Sequence, residues 1–257
     1  MSYREELYSA YVTTHTSILY GHATLGKILA QFPTWNNYFR KFLPANHDAK
    51  ILDIGCGSGG FVYFLHQAGY HGAEGVDFSP EQVELARQLK IRGITCSDLT
   101  AFLTDKRDAY DVVFARDVIE HFEKDEVMAI LAAVHQALKP GGTFVVQVPN
   151  AESPMSGRLR YGDFTHENGF TRSSLNQIFT ASGYPKVQCY ATGPTPKGIK
   201  SVVRFFLWKA IESALRFYLL VESGSVEGIF TQTIIAAASK GEWFIPTGIC
   251  VSDIPGQ

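Results

Sequence analysis

The chain has 257 residues, enough for one large domain or for a core domain with a modest extension. Hydrophobic residues make up 46% and charged residues 19%, which is ordinary for a globular protein and excludes intrinsically disordered, collagen-like and coiled-coil chains. The 23 Lys and Arg against 25 Asp and Glu leave a net charge of −2, so no overall positive charge draws the chain to nucleic acid.

Short apolar runs alternate with helical patterns between residues 50 and 150, which is typical of consecutive βα units and a parallel sheet. The predicted strands are residues 51–54, 74–77, 94–96, 110–114 and 143–148, and the predicted helices are residues 61–68, 80–90 and 124–138. Ser79, Pro80 and Gln82 give the second helix an N-cap, a proline at its first position and a glutamine at N3. The sequence therefore predicts an α/β fold.

The regular alternation then stops, and residues 150–172 form a long polar and aromatic loop of the kind that is usually functional. Beyond it, the pattern predicts a helix over 173–182 and strands over 187–191 and 230–237. The amphipathic stretch 199–221 lies between those two strands and carries too many charges for a membrane-spanning helix. We expect it to pack on the sheet or on a second subunit, or to lie on a membrane surface.

A glycine-rich loop directly follows the first predicted strand. Gly55, Gly57, Gly59 and Gly60 let the backbone approach a ligand closely, and the next helix aims N–H groups at it. Asp77, at the end of the second strand, is placed where a carboxylate can accept both hydroxyls of a ribose. This combination predicts a nucleotide-type cofactor; the alternative is a glycine turn that only lets strand and helix pack.

Two kinds of nucleotide cofactor fit these glycines. Gly55, Gly57 and Gly60 also satisfy the G-x-G-x-x-G pattern of a NAD-binding oxidoreductase. However, Asp53 lies just before the loop, where an anionic side chain is unfavourable for a pyrophosphate and favourable for an ammonium group. The residues therefore favour a cofactor with an amino-acid moiety.

Four segments, in order, resemble motifs of the class I S-adenosylmethionine-dependent methyltransferases. They are residues 51–59 (ILDIGCGSG), 75–79 (GVDFS), 111–121 (DVVFARDVIEH) and 138–142 (LKPGG). The resemblance covers about residues 45–150. It implies a Rossmann-like, doubly wound sheet of seven strands, with the last strand, residues 230–237, running antiparallel between its neighbours.

The resemblance also implies S-adenosyl-L-methionine as the cofactor and gives each of its parts a place. The methionine moiety is expected near Asp53, Gly55, Cys56 and Gly57, the ribose at Asp77, and the adenine near Phe78, Asp98 and Leu99, with Arg116 beside the end of the fourth strand. From its residue type alone, Asp98 also fits an N-cap or a surface turn.

Methyl transfer is an in-line displacement, so the protein must align an acceptor, exclude water and, for a hydroxyl acceptor, remove its proton. The loops at the C-terminal edge of the sheet must supply the groups that do this. His166 is the candidate general base, with Asp163 or Glu167 orienting its ring, and His121 is the second candidate. The alternatives are a solvated or loop-fixing histidine at 166 and a structural role at 121.

Residues 163–167 (DFTHE) and 169–171 (GFT) resemble, more loosely, small methyltransferases of surface-polysaccharide and nucleotide-sugar pathways. This resemblance implies O-methylation of a sugar or glycan hydroxyl. The alternatives are a quinol or another small hydroxylated or amine acceptor, a NAD-binding oxidoreductase, and a protein that binds the cofactor without catalysis. Three arginines are candidates for contacting a phosphate or carboxylate: Arg158, Arg160 and Arg172.

The predicted organisation is an N-terminal helical cap over residues 1–44 and a methyltransferase domain over residues 45–257, with an acceptor-side loop at 150–172 and a helical insertion at 194–228. The cap has a cluster that is expected to close over the cofactor or to pack as a plain helix: Tyr8, Tyr11, Thr13, Thr14 and His15.

The cysteines and the N-terminal residues bear on metals and on location. The four cysteines form no C-x-x-C pair, so they predict neither a zinc site nor a disulfide framework, and no metal is expected. The N-terminal residues lack a signal-peptide pattern, so a cytoplasmic location is expected. The expected partner is a small-molecule or glycan acceptor, not nucleic acid, and the expected assembly is a monomer or homodimer.

Overall fold

The structure of the chain is a computed structural model that describes residues 23–241 and Leu7. The aromatic and hydroxyl cluster of the predicted cap, residues 8–15, lies outside the described residues, and so does Cys250.

Seven strands form one sheet in the order β3-β2-β1-β4-β5-β7-β6. They are β1 (Ile51–Ile54), β2 (Glu74–Asp77), β3 (Ile94–Cys96), β4 (Tyr110–Arg116), β5 (Leu138–Pro149), β6 (Val187–Ala191) and β7 (Thr233–Ser239). The first five strands pair in parallel, and β7 pairs antiparallel with both β5 and β6. The predicted seven-stranded sheet with an antiparallel last strand between its neighbours is confirmed.

Helices cover both faces of this sheet. They are α1 (Leu25–Phe39), α2 (Gly60–Gln67), α3 (Pro80–Gln88), α4 (Leu99–Leu103), α5 (Lys124–Ala137), α6 (Ser156–Arg160), α7 (Arg172–Ala181) and α8 (Ile199–Ser223), with 3₁₀ turns at Arg40–Phe42 and Ile119–His121. Successive strand residues point to opposite faces. Helices α1 and α2 therefore pack on residues such as Phe114 of β4, while α5 and α7 pack on its neighbour Val113.

Local sequence signals explain where α3 and β5 begin. Helix α3 starts as predicted, with the Ser79 hydroxyl accepting the N–H of Gln82 and a proline in the first turn. Strand β5 begins earlier than predicted, because residues 139–142 belong to the strand instead of separating it from α5. A register shift on β4 allows this, since Tyr110 pairs with Leu138 and Val112 already pairs with Thr143.

Strand β7 begins three residues later than predicted, at Thr233. The preceding residues make other hydrogen bonds: the Asn150 side-chain amide donates to the carbonyls of Ile229 and Thr231. The Thr231 hydroxyl accepts the N–H of Thr192. Because these groups are already engaged, the segment before residue 233 does not join the strand ladder.

Helix α8 has no buried residue. Several of its large apolar side chains are well exposed, among them Phe206 (66%), Phe217 (67%) and Val221 (72%). Within the part of the chain that the structure describes, α8 therefore does not pack its apolar face on the sheet, which was one of the predicted placements. None of the described helices combines the length and apolar character needed to cross a membrane.

The strand order reverses between β1 and β4, because β2 and β3 lie on one side of β1 and β4 lies on the other. In open α/β sheets, ligands bind beyond the carboxyl ends of the strands at such a point. The loops that follow β1 and β4, residues 55–59 and 117–121, both lie at this edge. The fold therefore places a ligand site between these loops.

Candidate active site

The loop after β1 is shaped by three glycines with positive φ, at 62° for Gly55, 54° for Gly57 and 74° for Gly59. A Cβ at Gly55 would lie 2.4 Å from Cγ2 of Val118, and a Cβ at Gly59 would lie 2.9 Å from Cδ1 of Ile94, so packing requires both glycines. A Cβ at Gly57 would meet nothing closer than the Gln82 side chain at 3.8 Å. The space beside Gly57 is where the loop can receive a ligand.

We expect Gly55→Ala to lower the free energy of unfolding by about 2–5 kcal/mol, because overlap with Val118 adds to the cost of a left-handed alanine. Urea denaturation measures this loss. Gly57→Ala is the matched control, since it has the same backbone strain without the overlap and should lose only about 1–2 kcal/mol. Equal losses in the two variants would contradict the packing role of Gly55.

Asp77, at the end of β2, faces the glycine loop. Its Oδ2 accepts the N–H of Gly57 at 2.7 Å, and its Oδ1 accepts the N–H of Ser79 at 2.9 Å. Burial raises the pKa of the Asp77 carboxyl, and these two hydrogen bonds offset part of that rise. Each oxygen keeps acceptor capacity for a ribose hydroxyl. Because Asp77 already engages the Gly57 amide, the loop is unfavourable for the pyrophosphate of NAD.

Asp53 is fully buried beside the loop and pairs with Arg116, whose Nη2 donates to Asp53 Oδ2 at 3.2 Å. The guanidinium carbon lies 4.2 Å from the ring centroid of Phe61 and 5.4 Å from that of Trp35. Burial raises the pKa of the Asp53 carboxyl, and Arg116 offsets part of the rise. Asp53 Oδ1 and Arg116 Nε are buried without hydrogen-bond partners.

These two unpartnered atoms test whether the residues fit the predicted cofactor. Buried polar atoms are normally hydrogen-bonded, so Asp53 Oδ1 and Arg116 Nε indicate a ligand with a cationic and an anionic group. The ammonium and carboxylate of the methionine moiety of S-adenosylmethionine meet both requirements. The site residues therefore fit this cofactor.

The other predicted cofactor residues lie around the same loop in different environments. The Cys56 side chain is 5% exposed and packs against Gly75 of β2, so only its backbone is placed to contact a cofactor. Phe78 is 59% exposed, as a ring that covers an adenine would be, while Leu99 is buried. Asp98 is the N-cap of α4, the capping role that its residue type also suggested.

The loop after α6, which belongs to the predicted acceptor-side loop, is hydrogen-bonded to the 3₁₀ turn that follows β4. The backbone N–H groups of Glu167 and Asn168 both donate to the Glu120 carbonyl, at 2.7 and 3.1 Å. The Arg160 guanidinium donates to the carbonyls of His166 and Glu167. These bonds bring residues from distant parts of the sequence together, and the ring centroids of His121 and His166 lie 4.6 Å apart.

The two histidines are oriented by different groups. His166 Nδ1 hydrogen-bonds to the Leu159 carbonyl at 2.9 Å. The group that orients the His166 ring is therefore a backbone carbonyl and not the predicted carboxylate. Asp163 Oδ1 accepts the Thr165 hydroxyl at 2.7 Å, and that hydroxyl bonds to His121 Nδ1 at 2.9 Å. Asp163 therefore orients His121, through Thr165.

Glu120 is a buried residue of this site that the sequence patterns did not single out. Its side chain is fully buried, and neither carboxyl oxygen has a hydrogen-bond partner. Burial raises the pKa of this carboxyl well above its ordinary value, Asp117 and Asp163 add to the rise, and the backbone N–H groups of Glu120 and Val118 offset part of it. The spacing Asp117-x-x-Glu120-His121, directly after β4 at the ligand edge of the sheet, was the signal that could have identified it.

Two of the three arginines predicted to contact an anion have other partners. Arg160 holds the loop carbonyls, and Arg172 pairs with Glu227 at 3.3 Å on the surface. Arg158 is exposed, and its side chain pairs with none of the residues that the structure describes. Arg158 is thus the remaining candidate for contacting a phosphate or carboxylate.

The family model of the methyltransferase domain matches residues 29–188. That range is more than half of the chain and includes the glycine loop, Asp77 and both histidines. The chain belongs to the methyltransferase domain family. The predicted class I methyltransferase resemblance is confirmed, and the NAD-binding oxidoreductase is not supported.

Curated relatives of this methyltransferase differ in their acceptors. Phosphoethanolamine N-methyltransferase 1 of Arabidopsis thaliana is 27% identical over 126 residues, which are 47% of this chain and 25% of that protein. The ubiquinone biosynthesis O-methyltransferase of Xylella fastidiosa is 29% identical over 126 residues, 46% of this chain and 48% of that protein. The chain thus spans about a quarter to a half of the length of these relatives.

Solved structures share the fold of this methyltransferase over most of the chain. A SAM-dependent methyltransferase from Archaeoglobus fulgidus has a TM-score of 0.62 at 20% identity, covering 85% of this chain and 95% of that chain. Phosphoethanolamine N-methyltransferase 2 of Haemonchus contortus, in complex with S-adenosyl-L-methionine, has a TM-score of 0.59 at 20% identity, covering 94% of this chain and 60% of that chain. The predicted enzyme class and cofactor agree with these findings.

Proposed function

We propose that this methyltransferase uses S-adenosylmethionine to methylate a hydroxyl group of a sugar or glycan. The observation that carries the proposal is that two groups of residues lie together where the strand order of the sheet reverses. One is the glycine loop with the carboxyl groups of Asp53 and Asp77 beside it, and the other is the pair of hydrogen-bonded histidines. The loop suits a cofactor with a ribose and an amino-acid group. The histidines suit an acceptor that must lose a proton.

On the cofactor side, Asp77 holds the ribose hydroxyls, while Asp53 and Arg116 hold the charged ends of the methionine moiety. When bound, S-adenosylmethionine supplies a methyl group already activated by a positively charged sulfur. The buried carboxylates also favour a cationic ligand over the neutral product, because opposite charges attract more strongly away from water. These residues therefore bind and orient, and they need no proton transfer.

On the acceptor side, we place the hydroxyl beside His121 and His166, whose rings lie 4.6 Å apart. A sugar hydroxyl is a weak nucleophile unless its proton leaves as the C–O bond forms, and groups held in place for this step speed it by about 10²- to 10⁴-fold. The rings of Tyr161 and Phe164, on the same loop, are 80% and 83% exposed and offer flat surfaces for a sugar ring. Arg158, which is exposed on α6, is the candidate contact for a phosphate of a nucleotide sugar.

A quinol is the second candidate acceptor, and helix α8 is the observation that favours it. Its exposed apolar residues are interspersed with basic ones, including Lys200, Arg204 and Lys209. Such a surface suits contact with an anionic membrane, where lipid-soluble quinols reside. The Xylella fastidiosa relative is a ubiquinone biosynthesis O-methyltransferase.

An acceptor panel distinguishes these possibilities. The full chain is incubated with methyl-labelled S-adenosylmethionine and, separately, with nucleotide sugars, free oligosaccharides, a short-chain quinol and phosphoethanolamine. We expect labelled methyl ether on a sugar hydroxyl. Label only on the quinol would favour the second candidate, and label only on the amine would contradict O-methylation.

Calorimetry tests the cofactor without any acceptor. We expect the chain to bind S-adenosylhomocysteine and not NAD. Binding of NAD alone would contradict the proposal.

We expect Asp77→Ala to weaken S-adenosylmethionine binding by about 1.5–3 kcal/mol, or about 10- to 150-fold, without unfolding the protein. The variant loses the ribose contacts and the bond that positions the Gly57 amide. Calorimetric titration measures the affinity. Asp77→Asn is the matched variant, because it keeps an acceptor for the Ser79 N–H and should lose less. Unchanged affinity in folded Asp77→Ala would contradict the ribose assignment.

A further inference from the structure

Three side chains beside the acceptor position form a compact set of metal-ligand atoms. One such atom from each of Glu120, His121 and His166 lies within 4.8 Å of the other two. Glu120 and His121 come from the 3₁₀ turn after β4, and His166 comes from the loop that this turn fastens. Two separately anchored elements therefore converge on one point.

Glu120 is the fully buried member of this cluster. Its side chain is 0% exposed, and neither of its oxygens makes a well-formed hydrogen bond, since the backbone N–H groups of Val118 and of Glu120 itself offset only part of the cost of burying it. Burying a carboxyl with neither oxygen engaged costs several kcal/mol, and such groups in folded proteins are normally paired or bound to a metal. A cation within reach of this carboxyl would satisfy it.

The hydrogen bonds of the two histidines indicate which ring nitrogen carries the proton in each neutral ring. His166 Nδ1 bonds to a carbonyl, which only accepts, so Nδ1 carries the proton. The Thr165 hydroxyl donates its single proton to Asp163, so it accepts from His121 Nδ1, which is protonated as well. In the neutral form of each ring, the lone pair is therefore on Nε2. Histidine ligands of metals typically have their second nitrogen fixed in this way.

We propose that Glu120, His121 and His166 bind one divalent transition-metal ion through a carboxylate oxygen and two Nε2 atoms. Two imidazoles and a carboxylate suit Zn²⁺, Fe²⁺, Mn²⁺ or Co²⁺, whereas Mg²⁺ and Ca²⁺ prefer all-oxygen ligands. The cysteines, which led us to expect no metal, take no part in this site.

Three protein ligands leave coordination positions open, as in catalytic metal sites. The role of the ion, which rests on the proposed function, is to bind the oxygen of the acceptor hydroxyl and make its proton easier to remove. The proton passes to solvent, and an oxygen lone pair forms the new bond to the methyl carbon. The carbon–sulfur bond breaks with its electron pair going to sulfur, so the products are a methyl ether, S-adenosylhomocysteine and one proton.

Metal binding is tested directly, on the full chain without a polyhistidine tag. The protein is stripped with a chelator and titrated with Co²⁺, followed by visible absorption, and with Zn²⁺ and Mn²⁺, followed by calorimetry. We expect one ion per chain and at least about 100-fold weaker binding in Glu120→Gln, which keeps the size of the side chain. The exposed Glu84→Gln is the matched control and should bind like wild type. A stripped wild type that binds none of the three ions would overturn the proposal, as would a folded Glu120→Gln that binds them normally.

Thr165→Val tests the positioning of His121 without removing a ligand. Loss of this hydroxyl should weaken Co²⁺ binding by about 10- to 100-fold and change its absorption spectrum, and Thr165→Ser should restore both. A Thr165→Val variant with wild-type binding and spectrum would contradict the assigned geometry.

Activity with and without metal separates this proposal from the proposed function. Methyl transfer that is lost on stripping and restored by one equivalent of metal would support the role of the ion. Full activity in the stripped protein would overturn that role and leave His166 as a metal-free general base. If the metal-loaded chain methylates none of the acceptors, the proposed function fails, while the direct binding result still stands.

Discussion

His166→Ala is expected to lower kcat by about 10²- to 10⁴-fold while leaving the affinity for S-adenosylmethionine nearly unchanged. Among the described residues, the side chain hydrogen-bonds to Leu159 of the acceptor-side segment and packs against His121, both of which lie apart in sequence from the glycine loop where the cofactor is proposed to bind. Its loss therefore removes the group that acts on the acceptor hydroxyl and spares the cofactor site. Steady-state kinetics with the acceptor found in the panel measures kcat, and calorimetry with S-adenosylhomocysteine measures cofactor affinity.

Two further variants make this result specific. His166→Asn keeps a donor for the Leu159 carbonyl, so it should preserve the loop and still be as inactive as the alanine variant. His71→Ala removes an exposed histidine outside the site and should keep normal activity. A folded His166→Ala with near-normal kcat would show that the acceptor is activated elsewhere, and His121→Ala would then be the next variant to measure.

Gly57→Val is expected to weaken S-adenosylmethionine binding by at least about 100-fold, which is roughly 2.7 kcal/mol. A Cβ at residue 57 points into open space beside the loop, where the cofactor is proposed to lie, so a branched side chain would occupy that space. Valine is also strained at a φ of 54°. Calorimetric titration with S-adenosylmethionine measures the loss of binding.

Because backbone strain alone could distort the loop, Gly57→Ala accompanies this variant. A methyl group there meets no protein atom closer than 3.8 Å, so the alanine variant should stay folded and still bind the cofactor more weakly than wild type. Thermal unfolding followed by circular dichroism verifies the fold of both variants. Normal affinity in both would reject the loop as the cofactor site.

The sheet and the cofactor loop were predictable because their signals are local. The apolar run of β1, the positive-φ glycines after it, and the capping residues at Ser79 act within a few positions of one another. Each is a direct consequence of backbone sterics and hydrogen bonding, which the sequence specifies wherever the residues occur. The place of β7 between β5 and β6 is not local, and it was predicted from the family resemblance instead.

The acceptor side was only partly predictable. The sequence predicted His166, His121 and Asp163 on loops at one edge of the sheet, and it predicted that Asp163 or Glu167 orients His166. In the folded chain Asp163 orients His121, which is distant in sequence, and a backbone carbonyl holds His166. Two residues that are close in the sequence of a loop need not have side chains in contact, because the turns of the backbone determine which side chains meet.

The α/β class, the order of the cofactor motifs and the residues of the glycine loop can all be read from the amino-acid sequence. The burial of Glu120 beside His121 and His166 emerges only when the chain is folded. The same is true of the apolar face of α8, which stays exposed within the described part of the chain. Burial and convergence of this kind depend on which elements pack against each other, and a linear pattern of residue types does not contain that information.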